Sequence, residues 1–241
     1  MVSRKKSKSK KVPMDERHII SIGGGSFANS QKSMQHALRL IKKKGKAKKK
    51  ILIATTATGD ADSSLVICYK NLSQYNCDLE HLPFFARTPP DLESLVLSQD
   101  MIFVGGGNTK SMLAVWREYR FDKLLEKAWS RGIVLCGSSA GGICWFDQGL
   151  TDSYDISYTA LDCLGFLPGS CSPHYDGEVD RRETFHTLIK GGKMANGIAL
   201  DECVGVHFQG RKLSKIISPS SKKTAYSVKK KGRSIEEKKL Q

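Results

Sequence analysis

Three short apolar runs in this 241-residue chain each end in a glycine-rich turn, and that recurrence limits the fold more than any other feature. Residues 18–22 run into Gly23-Gly24-Gly25, and residues 101–104 into Gly105-Gly106-Gly107-Asn108-Thr109. Residues 133–136 run into Gly137-Ser138-Ser139-Ala140-Gly141. Each run is too short for a helix and bounded by turn residues, so each reads as a buried strand. Segments of helical period lie between them. Met34, Ala37, Leu38 and Ile41 share one face, as do Leu65, Val66, Tyr69 and Leu72. Asp91, after two prolines, is a good N-cap for a helix to residue 97, and further helices are expected over 109–116 and from Asp122 to about 131. Strands alternating with helices predict an α/β fold with a mostly parallel sheet and helices on both faces. Ligands bind such sheets beyond the carboxyl ends of the strands, where all three glycine turns would open.

The third turn carries chemistry. Gly-x-Ser-x-Gly between a strand and a helix presents the central serine clear of its own backbone. The amide that follows it can donate to a developing oxyanion. Ser139 holds the central position, and Ala140 supplies that amide. The first turn formally fits the Gly-x-Gly-x-x-Ala dinucleotide pattern, but no acid ends the second strand at residues 51–54, so it reads as a glycine turn bordering a cleft. A serine nucleophile needs a base. Of six histidines, His207 falls within an expected strand and His186 on a helix face, whereas His174 follows Pro173 in a loop with acids nearby. Spacing favours His174.

Composition limits the setting. The formal net charge of +15 is unevenly spread: residues 1–11, 42–50 and 211–241 are lysine-rich, and the remainder is mildly acidic. Basic tails suit nucleic acid or an acidic membrane surface, or simply solvation. Tyr226 is the one aromatic residue in them, which gives little support to single-strand stacking. Seven cysteines without Cys-x-x-Cys or Cys/His metal spacing suggest reduced thiols and no metal site. Neither an apolar run of spanning length nor a secretory signal is evident, so a cytoplasmic protein off the membrane is expected. The chain divides into a disordered basic arm (1–17), a catalytic body (18–217) and a basic tail or strand pair (218–241).

In order and separation, Gly105-Gly106-Gly107-Asn108-Thr109, Gly137-Ser138-Ser139-Ala140-Gly141 and Pro173-His174 resemble the peptidase E family of serine peptidases. That family includes aspartyl dipeptidases and, more distantly, cyanophycinases. The strings GSSAGGICWFDQGLTDS and LGFLPGSCSPHYDGEVDRR resemble a bacterial-type branch of it. The resemblance covers residues 18–217 and implies a fold like that of class I glutamine amidotransferases, with serine at the elbow. Cys136 and Cys144 lie off the elbow centre, which disfavours a cysteine amidohydrolase. Carried over by motif, Ser139 is the nucleophile, His174 the base, and the amides of Gly107 and Ala140 the oxyanion hole. For the third member Asp152 fits best, with Asp155 and Glu202 as alternatives. Arg181 and Arg182 are candidates for a substrate carboxylate, against the reading that they pair with Glu178 and Glu183. The resemblance also implies short peptide substrates with N-terminal aspartate as one preference, no metal or cofactor, and a homodimer. An isoaspartyl or cyanophycin-like hydrolase is one alternative. A non-catalytic protein that binds RNA or a partner through basic tails is another.

Overall fold

A computed structural model describes residues 11–42, 47–155 and 157–240. Its first half alternates as the sequence pattern requires: β1 (His18–Ile22), α1 (Gln31–Leu40), β2 (Lys49–Ala54), α2 (Asp62–Leu72), β3 (Cys77–His81), α3 (Leu92–Leu97), β4 (Met101–Val104), α4 (Thr109–Glu118), α5 (Phe121–Ser130), β5 (Val134–Ser138) and α6 (Ala140–Ile143). The second half holds β6 (Phe146–Thr151), β7 (Thr159–Asp162), β8 (Leu167–Ser172), α7 (Arg181–Lys190), β9 (Gly197–Leu200), β10 (Gly205–Gln209), β11 (Lys212–Ile217), β12 (Ala225–Lys231) and β13 (Ser234–Lys239).

The main sheet has the order β11-β10-β1-β5-β4-β2-β3. Strands β1 to β5 are mutually parallel, and β10 and β11 extend one edge antiparallel. Side chains of one strand alternate between faces. Ile20, Ile53, Phe103 and Cys136 therefore meet Met34 and Leu38 of α1 and Cys68 and Leu72 of α2. Ile19, Leu52, Ile102 and Leu135 point the other way, into a core with Met112, Trp116, Leu125 and Trp129 of α4 and α5. Both faces are covered, as expected for a buried parallel sheet.

A second sheet, β13-β12-β9-β8-β6-β7, was not marked by the sequence pattern. It is mixed, with β6, β8 and β9 parallel and the outer pairs antiparallel. Phe185 and Ile189 of α7 pack with Leu150 and Val228 against it. β6 ends with Leu150 and Thr151 buried in this layer.

The N-terminal stretch also departs from expectation. Residues 1–10 of the expected arm and 43–46 of the lysine run lie outside the described residues. Residues 11–17 are not a free arm: Met14–Glu16 is a turn of 3-10 helix, the Val12 amide donates to the Ser130 carbonyl at 2.9 Å, and the Arg17 guanidinium lies 5.5 Å over the Trp129 ring. In the stretch 218–241, expected as a tail or a strand pair, Ala225 and Val228 are buried and carry β12 into the second sheet while Lys229, Lys230 and Lys231 face outward. β13 closes the hairpin, and Lys238 and Lys239 on this edge strand discourage further strand pairing.

Candidate active site

β5 lies between β1 and β4, so their carboxyl ends meet: Ile22 pairs with Ser138 and Val104 with Gly137. The chain then turns straight into α6 through Ser139, at φ 54 and ψ −117. That backbone region costs a non-glycine residue on the order of 1–3 kcal/mol. It is held by its surroundings. The Ser139 amide donates to the Ile22 carbonyl at 3.0 Å, and the Ser139 carbonyl accepts from Gly142 and Ile143. Glycine at 137 lets the turn close, since a Cβ there would stand 2.1 Å from the Gly141 carbonyl oxygen.

β8 and Pro173 deliver His174 over this elbow. The His174 amide donates to the Gly23 carbonyl at 2.8 Å, and Gly24, at φ +97, lies against the imidazole. A Cβ at Gly24 would fall 2.1 Å from His174 Cε1, so this glycine sets where the ring sits. His174 Nε2 is 2.9 Å from Ser139 Oγ. Its Nδ1 is 3.1 Å from Glu202 Oε1 and 3.9 Å from Glu178 Oε1.

Glu202 reaches the ring through topology. β9 belongs to the second sheet and β10 to the first, so the connection between them crosses from one to the other beside His174. Cys203 takes φ 66 in this turn. The Glu202 amide donates to Asp176 Oδ1 at 2.8 Å, and Asp176 is in turn paired with Lys223 at 2.8 Å. Asp152, the sequence's first choice for this place, is exposed and forms no hydrogen bond with His174 among the described residues. Asp155 accepts from the Ser157 amide and hydroxyl. Their loop is fixed instead to the start of α4, where Ser153 Oγ accepts from the Thr109 amide at 2.8 Å.

The glycine turn after β4 approaches the serine from the other side. A Cβ at Gly106 would lie 3.1 Å from Ser139 Cβ, a proximity the sequence did not single out. Gly107, at φ +135, packs on the Ala57 carbonyl. The amides of Gly107 and Ala140 have no acceptor among the described residues.

Both candidate arginines point elsewhere. Arg181 is buried, paired with Glu178 at 2.5 Å, and stacked 4.3 Å from the Tyr158 ring. Burial alone would raise the Glu178 carboxyl, but the Arg181 guanidinium, His174 and the Tyr158 hydroxyl together hold the group below its ordinary range. Arg182 pairs with Glu237 of β13. Glu237 also accepts from Tyr175 at 2.5 Å and lies 2.8 Å from His186 Nε2, which ties the residue after His174 to the hairpin. Neither guanidinium lines the cavity of about 270 Å³ that opens beside Ser139 and His174. The nearby thiols are inert: burial pushes Cys136 up to about 12 and Cys144 well above its ordinary value.

A parallel α/β sheet that presents a strained elbow serine to a histidine is the arrangement of a serine hydrolase. More narrowly, the chain belongs to peptidase family S51, whose family model matches residues 19–216. It is 38% identical over 212 residues, 88% of this chain and 92% of the relative, to a protein of Bacillus subtilis named "Uncharacterized peptidase YgaJ". A "Probable alpha-aspartyl dipeptidase" of Drosophila melanogaster is 29% identical over 58% of each chain. Among solved structures, a peptidase from an acI-B1 Actinobacterium superposes with a TM-score of 0.65 at 14% identity, covering 93% of each chain. A putative peptidase E protein from Listeria monocytogenes gives 0.63 at 17% identity, covering 85% of this chain and 99% of that one. The protein is a serine peptidase with a peptidase E-like α/β fold.

Proposed function

We propose that this serine peptidase hydrolyses short peptides with Ser139 as nucleophile, His174 as general base and Glu202 as the carboxylate that orients it. The observation that carries the reading is the continuous line from Ser139 Oγ to His174 Nε2, 2.9 Å, and from His174 Nδ1 to Glu202 Oε1, 3.1 Å. Ser139 Oγ attacks the scissile carbonyl while His174 Nε2 takes its proton. Glu202 steadies the imidazolium through the Nδ1 hydrogen. The oxyanion settles against the Gly107 and Ala140 amides. His174 then protonates the leaving amine, and water attacks the acyl-enzyme with the same histidine as base. Seven free cysteines suit a reducing compartment, in keeping with a cytoplasmic enzyme.

A preference for N-terminal aspartate is not part of the proposal, because Arg181 and Arg182 are committed to Glu178 and Glu237. An isoaspartyl or cyanophycin-like substrate would want the same cation. The test is hydrolysis of a panel of dipeptides and tripeptides by wild type and Ser139→Ala, with free amine as readout, beside labelling by a fluorophosphonate. Wild type should cleave and take the label at Ser139, and the variant should do neither. A folded variant that keeps the wild-type rate would refute the assignment.

A further inference from the structure

We propose that the cavity beside Ser139 binds the acyl-side residue of the substrate and selects an apolar side chain of leucine-to-phenylalanine size over aspartate. The inference rests on the reading of Ser139 as nucleophile and names the substrate class of that site. The cavity opens between the glycine turns and α2, with Ser139, Gly106 and His174 along its wall. Its apolar walls are Phe27, Met34, Ile67, Cys68 and Phe103. Among the described residues, no Lys, Arg, Asp or Glu lines it.

Two of its lining hydroxyls offer an anion no proton. Ser30 Oγ and Thr58 Oγ1 line it too, and each donates its proton to a backbone carbonyl, of Ser26 and Thr55, at 2.9 Å. What those hydroxyls have left to offer a ligand is lone pairs. Cys68 has its thiol pushed up to about 11 by burial and stays neutral. A carboxylate placed here would lose water and find no lysine or arginine to answer its charge, which is costly. An apolar side chain would lose nothing polar and cover Ile67, whose side chain is half exposed (51%) although isoleucine is ordinarily buried. The volume of about 270 Å³ leaves room for one such side chain.

Burying one apolar side chain corresponds to roughly tenfold to a hundredfold in kcat/KM. The test keeps the leaving residue constant: X-Leu dipeptides with X as Leu, Met, Phe, Asn or Asp, assayed with wild type, Ile67→Arg and Ile67→Ala. Wild type should prefer Leu, Met or Phe to Asp by at least about tenfold. Ile67→Arg sets a guanidinium at the rim from an exposed helix position and should narrow or reverse that ratio. Ile67→Ala should lower the rates for apolar X without raising the rate for Asp. Fluorophosphonate labelling of Ser139 separates the two levels. Labelled enzyme that cleaves Asp-Leu as well as Leu-Leu, or cleaves no apolar member, overturns the selectivity and leaves the nucleophile standing. Enzyme that neither labels nor cleaves overturns both.

Discussion

Replacing Glu202 by glutamine tests the site where sequence and structure diverge. The carboxylate is 3.1 Å from His174 Nδ1, with side-chain exposures of 36% and 17% for the pair. Two unit charges at that distance interact by about 5 kcal/mol at an effective dielectric of about 20, and by about 1 kcal/mol in water. A site one-third open falls between, so the imidazolium of the transition state should lose about 3 kcal/mol, or roughly 150-fold in kcat. Glu178, at 3.9 Å, does not replace it, since its charge is already answered by Arg181. Glu202→Gln should therefore lower kcat by about two orders of magnitude with KM little changed, because the lost interaction belongs to the charged transition state. Asp152→Asn should leave kcat within about twofold, as surface changes usually do. Steady-state kinetics on one dipeptide decides it. A Glu202→Gln enzyme at full rate, or an Asp152→Asn enzyme equally crippled, would refute the assignment.

Three further outcomes follow from the packing. Gly24→Ala drives a Cβ into the imidazole at a backbone φ of +97, so kcat should fall about a hundredfold while the far-ultraviolet circular dichroism stays native. His207 is buried between His18 at 3.0 Å and His36 at 3.2 Å, and burial first, then those two rings and Lys215, lowers it to about 4. Above pH 6.5 the group is neutral folded or unfolded; below it the unfolded chain takes the proton first, so stability should fall by about 3 kcal/mol by pH 4. Denaturant melts across that range should show the slope in wild type and a shallower one in His207→Phe. Glu237→Ala strips Arg182, His186 and Tyr175 of a shared acceptor and should cost about 1–3 kcal/mol by urea denaturation, with a lower kcat.

The parts of the site legible in the sequence were those encoded locally. The elbow announces itself because Gly137 and Gly141 are needed within five residues of one another, and His174 because a proline and nearby acids mark its loop. Glu202 stood only among alternatives. Its place depends on β9 and β10 joining different sheets, a long-range fact that no spacing along the chain records. Pairing of Arg181 with Glu178, three residues away, is among the readings the sequence offers, whereas the partner of Arg182, Glu237, lies 55 residues on and only folding brings it near. The second sheet escaped notice because its strands mix Ser, Gly and Thr with few apolar residues, and the strand pair at 218–241 stood only beside a tail because lysines mask Ala225 and Val228.

The tie between Glu237 and Tyr175 gives the enzyme a schedule. Ser139 and the five parallel strands are all made in the first part of the chain, yet the support beneath His174 waits for a residue of the last strand. At ribosomal rates of about 5–20 residues per second, the stretch between Ser139 and Glu237 takes roughly 5–20 s to synthesise. During that interval the growing polypeptide carries Ser139 without the Glu237 contact that holds Tyr175, the residue after His174. With Ser139 and His174 in the proposed roles, hydrolytic competence follows the synthesis of β13 rather than that of the elbow, because the second sheet is complete only when β12 and β13 join β9.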